Sequence, residues 1–99
     1  LPEPEGFFSN RWLSTVIIDP ENNNGITRED LRLAFEAENI ESRPLWKPMH
    51  LQPVFADAPF YGDGTSEQLF EQGLCLPSGS NLTASDWERI EQVLHQVFR

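Results

Sequence analysis

The chain is poor in the residues that most often announce a chemistry. It has one cysteine, Cys75, one lysine, Lys47, and two histidines, His50 and His95. A single cysteine excludes an internal disulfide, and its neighbours Leu74 and Leu76 give it the look of a buried strand residue, so a reducing, cytoplasmic compartment is expected. The histidines and the cysteine lie far apart without zinc-ligand spacing, which leaves no recognisable metal motif. Basic residues are scarce as well. Seven Lys and Arg stand against sixteen Asp and Glu. The resulting net charge of -9 argues against the sequence-independent phosphate attraction that nucleic-acid binding needs, and against docking on anionic membranes. No apolar run approaches the ~20 residues needed to cross a bilayer, and no basic n-region precedes an h-region, so neither export nor insertion is expected. No internal repeat is visible, no serine sits in a nucleophile elbow, and no pair of acids is marked out for acid-base work, which ranks a small independent hydrolase last among the readings.

What is present is enough for one folded unit. Ninety-nine residues, 38% of them apolar and eleven per cent aromatic, fit a globular domain burying roughly 60 to 70% of its unfolded surface, without space for separate catalytic and cofactor domains.

The first eight residues, with Pro2 and Pro4 and no periodicity, read as a linker or the cut end of something longer; there is no initiator methionine. Trp12 to Ile18 is β-branched and aromatic and ends at Asp19-Pro20, predicting a strand and then a turn through Asn22-Asn23-Asn24-Gly25. Thr27 with Asp30 forms a capping box, and Ile26 with Leu31 a hydrophobic staple, for a helix running to about Glu38 with Leu31, Ala34 and Phe35 on its apolar face. Asn39 is placed to end it before an extended piece, Ile40 to Leu45. Thr65-Ser66-Glu67-Gln68 reads as a second capping box opening a short helix that Gly73 stops. Leu74-Cys75-Leu76 reads as a buried strand, and Thr83 with Asp86 caps a last helix whose apolar face is Trp87, Ile90, Val93, Leu94 and Val97. His95 falls on that helix's polar side. The order predicts a small two-layer α+β domain over residues 9–99, with about three mainly antiparallel strands and three helices. One sheet face is expected to be poorly covered, which favours packing against another domain.

The most unusual segment is Arg43-Pro44-Leu45-Trp46-Lys47-Pro48-Met49-His50-Leu51-Gln52-Pro53. It gathers two cations, an imidazole and an indole between prolines, with no acid between Glu41 and Asp57, and so points to an anion nearby. Arg43 can fork onto a phosphate or carboxylate; its bland reading is a solvated cation. Trp46 can stack on a base or other flat ring, or plug the space under a loop. His50 can donate to a ligand or carry a proton, or bond a backbone carbonyl. Ser78-Gly79-Ser80 suits a small anion nest or a plain turn.

Asn10-Arg11-Trp12-Leu13, Asn39 through Pro53, and Gly73-Leu74-Cys75-Leu76-Pro77-Ser78-Gly79 together resemble the C-terminal part of DegT-type nucleotide-sugar aminotransferases, with the nearest look to bacterial exopolysaccharide and bacillosamine-pathway members. The resemblance runs from about Ser9 onward. It implies the C-terminal small domain of the fold type I aminotransferase architecture. It implies also a parent that uses pyridoxal 5'-phosphate to transfer an amino group from glutamate or glutamine to a keto sugar on a nucleotide. Carried onto this chain, it makes Arg43, Trp46 and His50 the residues for substrate contacts or active-site closure. Lys47 does not resemble the family's cofactor lysine, so no cofactor-binding or catalytic residue is expected here and the fragment alone should be inactive. The implied partners are an N-terminal cofactor-binding domain of the same chain, a second copy in a homodimer, and the nucleotide sugar. The competing reading from another class is a freestanding acidic module that binds a protein partner through the Trp46 loop.

Overall fold

The structure is a computed structural model and describes residues 3–99; Leu1 and Pro2, part of the expected linker, lie outside the described residues. Its strands are β1 (Thr15–Ile17), β2 (Arg43–Pro44) and β3 (Gly73–Cys75), and its helices are α1 (Arg28–Ala37), α2 (Thr65–Gln72) and α3 (Ala84–Val97). The sheet order is β1-β3-β2 with both pairings antiparallel. This is the small α+β domain expected from the sequence.

Pairing sets Leu74 opposite both Val16 and Pro44, so these three share one face. That face carries the core, where Leu74, Phe35, Leu31, Val93, Ile90 and Ile18 form one buried cluster. Pro44 sits on an edge strand, where its missing N–H costs no ladder bond. The opposite face carries Thr15, Ile17, Arg43 and Cys75, and Ile17 is half exposed.

Two of the three helix starts follow the expected rule. Thr27 and Thr83 each accept from the backbone N–H three residues on, while Asp30 and Asp86 reach back to the cap amides. Each carboxyl is held below its usual range, chiefly by the hydrogen bond from its threonine. Helix α1 ends in a Schellman turn: Asn39, at φ 55°, donates to Glu36 O and Ile40 donates to Phe35 O.

The second capping box does not form. Helix α2 begins at Thr65 itself, because Gly64 takes φ 85° and the Asp63 carboxylate accepts the Thr65 N–H at 3.0 Å. A charged acceptor displaces the weaker hydroxyl cap. Strand β1 is shorter than the Trp12–Ile18 expected, since Asn10 Oδ1 accepts from Trp12 N and Arg11 sits at φ 53°, turning the chain just before it. The extended piece from Ile40 to Leu45 pairs only at Arg43–Pro44, and β3 begins one residue early, at Gly73, and ends at Cys75. Trp87, expected on the apolar face of α3, stays half exposed. At 100° per residue it lies about 70° from the centre of the Ile90, Val93, Leu94 and Val97 stripe. Among the described residues no helix is long and apolar enough to cross a membrane.

Candidate functional site

The central loop is tied down at its start by Gly73. A Cβ there would overlap Leu45 Cδ1 and the Leu69 carbonyl oxygen, so the glycine lets the Leu45 side chain lie directly on β3. Leu45 N donates to Gly73 O at 3.3 Å, and two 3-10 turns, Met49–Leu51 and Pro53–Phe55, carry the chain onward. Trp46 follows this anchored residue and stands beside Arg43 and Cys75 at the sheet edge.

On the face opposite the core lies an open groove of about 450 Å³ lined by Trp12, Leu13, Arg43, Trp46, Cys75 and Leu76 among others. The size is within the range of small-molecule clefts. Trp12 and Trp46 stand with ring centroids 5.9 Å apart and planes tilted by 51°, and each leaves about two thirds of its surface exposed. Cys75 forms part of the wall; burial pushes its thiol above the usual value, so it is a protonated wall group and no nucleophile at neutral pH.

Arg43 is engaged. Its Nε and Nη2 both reach Glu41 Oε1, at 2.7 and 2.6 Å. Both side chains are more than 70% exposed, so the pair is worth about 0–1 kcal/mol and exchanges readily for another anion. His50 lies apart from the groove. Its Nε2 is 2.6 Å from Glu67 Oε1 on α2, its ring stacks on Phe60 with centroids 3.6 Å apart, and the side chain is only 15% exposed. Two groups of the cationic segment thus meet the protein's own carboxylates. Of the three residues singled out from sequence, the structure brings Arg43 and Trp46 together and places His50 in a second cluster.

Three participants were missed. Glu41 had a signal, since residues two apart in an extended segment share a face. Trp12 and Glu67 had none, because 34 and 17 residues respectively separate them from their partners. Ser78 is structural: its Oγ accepts from Ser14 N and donates to Leu76 O, both at 2.8 Å, stitching the ends of β1 and β3. That is the turn reading of Ser78-Gly79-Ser80. His95 is exposed on the outside of α3.

A profile of the DegT/DnrJ/EryC1/StrS aminotransferase family matches residues 2–97. The chain belongs to this family. EpsN of Bacillus subtilis (strain 168), assigned by name as a pyridoxal phosphate-dependent aminotransferase, is 44% identical over 102 residues, covering 99% of this chain and 25% of that protein. A GDP-perosamine synthase of Caulobacter vibrioides is 33% identical over 86 residues, covering 87% of this chain and 23% of its own length. A DegT DnrJ EryC1 StrS aminotransferase from Brucella abortus superposes with a TM-score of 0.65 at 28% identity, over 87% of this chain and 22% of that one. Helicobacter pylori PseC, an aminotransferase involved in the biosynthesis of pseudoaminic acid, superposes at 0.70 with 14% identity over 87% of this chain and 23% of its own, which speaks for the fold alone. The chain spans about a quarter of the length of the family members it matches. Membership in the DegT family does not favour the alternative of a freestanding acidic interaction module.

Proposed function

We propose that residues 9–99 are the C-terminal small domain of a DegT-type enzyme. This enzyme uses pyridoxal 5'-phosphate to transfer an amino group from glutamate or glutamine to a nucleotide-linked keto sugar. The observation that carries the reading is the 44% identity to EpsN across nearly the whole chain at a quarter of that protein's length. The parent acts in the cytoplasm as a homodimer, and this domain supplies substrate contacts, active-site closure and dimer contacts.

The residues here do not fit the cofactor itself. Lys47, the single lysine, is exposed on the loop and does not line the groove, and the acid in the groove wall, Glu41, is taken by Arg43. A lysine, an acid for the pyridine nitrogen and a phosphate cup are what the cofactor requires. Those groups belong to the remainder of the parent, and the isolated domain has no activity.

Each named residue has a part that its surroundings support. Arg43 is held weakly enough by Glu41 to exchange that carboxylate for a diphosphate, which the guanidinium binds in a fork. Trp46, beside Trp12, offers an exposed aromatic face to the base or sugar. His50, turned toward Glu67, serves closure by holding the loop. The test is the visible absorption of the full-length protein before and after glutamate is added. A yellow cofactor band that bleaches supports the reading. A purified full-length chain that binds no pyridoxal phosphate contradicts it.

A further inference from the structure

The groove leaves unexplained why the loop that carries Trp46 keeps one position. Its start is anchored by Leu45 on Gly73, but from Lys47 to Phe60 the backbone makes only its own short turns, and Val54, Met49 and Leu51 are exposed. One long-range polar contact joins this stretch to the rest of the fold among the described residues, His50 Nε2 to Glu67 Oε1 at 2.6 Å, across 17 residues. Phe60, at the far end of the same stretch, lies over the other side of the contact as a ring stacked on His50 with planes 18° apart. Gly62 makes that position available, because a Cβ at residue 62 would overlap Phe60 Cζ and lie 3.0 Å from Cε2. The two ends of the loop therefore converge on one imidazole, and α2 supplies the carboxylate that holds it.

We propose that Glu67 is a positioning residue. It fixes His50 with Nε2–H donating and thereby holds the loop from Trp46 to Phe60 in the position that presents Trp46 to the nucleotide sugar, beside the strand-held Arg43. The start of α2 is arranged for this role. Asp63 and Gly64 start the helix, and Glu67 in its first turn reaches the loop at His50. The carboxylate gives the imidazole a charged acceptor, a stronger partner than a neutral one. It also decides which ring nitrogen carries the hydrogen, because a carboxylate can only accept.

The presentation to substrate rests on the function proposed above; the clasp itself does not. Both are read in the full-length protein by hydrogen exchange of residues 47–60, with residues 73–76 as the internal reference, and by KM for the keto sugar nucleotide. Glu67→Ala should speed exchange of the loop by about tenfold, the worth of one net charge-assisted hydrogen bond, while the reference amides stay unchanged. Glu67→Gln keeps an acceptor oxygen and should recover most of the protection. Gly62→Ala, which displaces Phe60 without touching Glu67, should give an intermediate rise. In Glu67→Ala, KM for the sugar nucleotide should rise about tenfold, with the amino-donor half-reaction unaltered. Loop exchange that is the same in Glu67→Ala as in the wild type, or a Gln variant as fast as the Ala variant, overturns the clasp. Faster exchange with an unaltered KM upholds the clasp and refutes the substrate-facing reading.

Discussion

Replacing Gly73 by alanine tests how the loop is seated. Gly73 has extended backbone, so alanine meets no torsional penalty there; the cost is steric. The new methyl would lie 2.5 Å from Leu45 Cγ, closer still to Leu45 Cδ1, and would also press on the Leu69 carbonyl oxygen, which is backbone and accepts the Gly73 N–H. Leu45 can swing away, whereas the carbonyl moves only if the end of α2 shifts. Overpacking of this kind costs about 1–3 kcal/mol, or roughly 5- to 150-fold in an opening equilibrium. In the full-length protein, exchange of the β1 and β3 amides should quicken by that factor, together with the adjoining Ile18 N–H, bound to Gln72 O. Leu45→Ala should cost less in the Gly73→Ala background than in the wild type, because the two side chains then no longer compete. The coupling should be incomplete, since the Leu69 oxygen remains. Unchanged exchange in Gly73→Ala, or additive costs in the double variant, would refute the idea that a close Leu45–Gly73 approach seats the loop.

The two threonine caps carry a pH signature. Asp30 and Asp86 have carboxyls held below their usual range by Thr27 and Thr83, so their contribution is present above the ordinary carboxylate pKa and is lost as pH falls through the depressed folded value. Amide protection of α1 and α3 should fall below about pH 4, and Thr27→Ala and Thr83→Ala, each destabilising by about 1 kcal/mol, should blunt that fall. Phe35, fully buried between α1, α3 and β3, should cost about 3–5 kcal/mol when cut to alanine, read as the largest loss of protection in the core strands.

Much of this fold was legible because its signals are local. Thr27-Asp30 and Thr83-Asp86 are three residues apart, Asn39 announces a left-handed helix end, and Leu74-Cys75-Leu76 reads as buried without its partners. The misplaced α2 start shows where local rules compete: Asp63-Gly64 and Thr65-Gln68 both encode a helix start, and the charged acceptor with a glycine wins. The candidate site was legible only by half. The composition of residues 43–53 marked Arg43, Trp46 and His50 as unusual, yet what each touches depends on pairings far along the chain. Trp12 reaches Trp46 because β1 and β2 flank the same strand, and Glu67 reaches His50 because Gly73 turns α2 directly into β3. Such contacts follow from topology and leave no periodicity to read.

The central claim is that this domain lends its Arg43 groove to the nucleotide-sugar substrate of a larger aminotransferase. It is tested most directly by Arg43→Ala in the full-length enzyme, with the two half-reactions measured separately. The account predicts that amino transfer to the keto sugar nucleotide falls by about tenfold to a hundredfold, the worth of a lost charge-assisted contact, while the half-reaction with glutamate is unchanged. Equal loss in both half-reactions, or no loss in either, would contradict it.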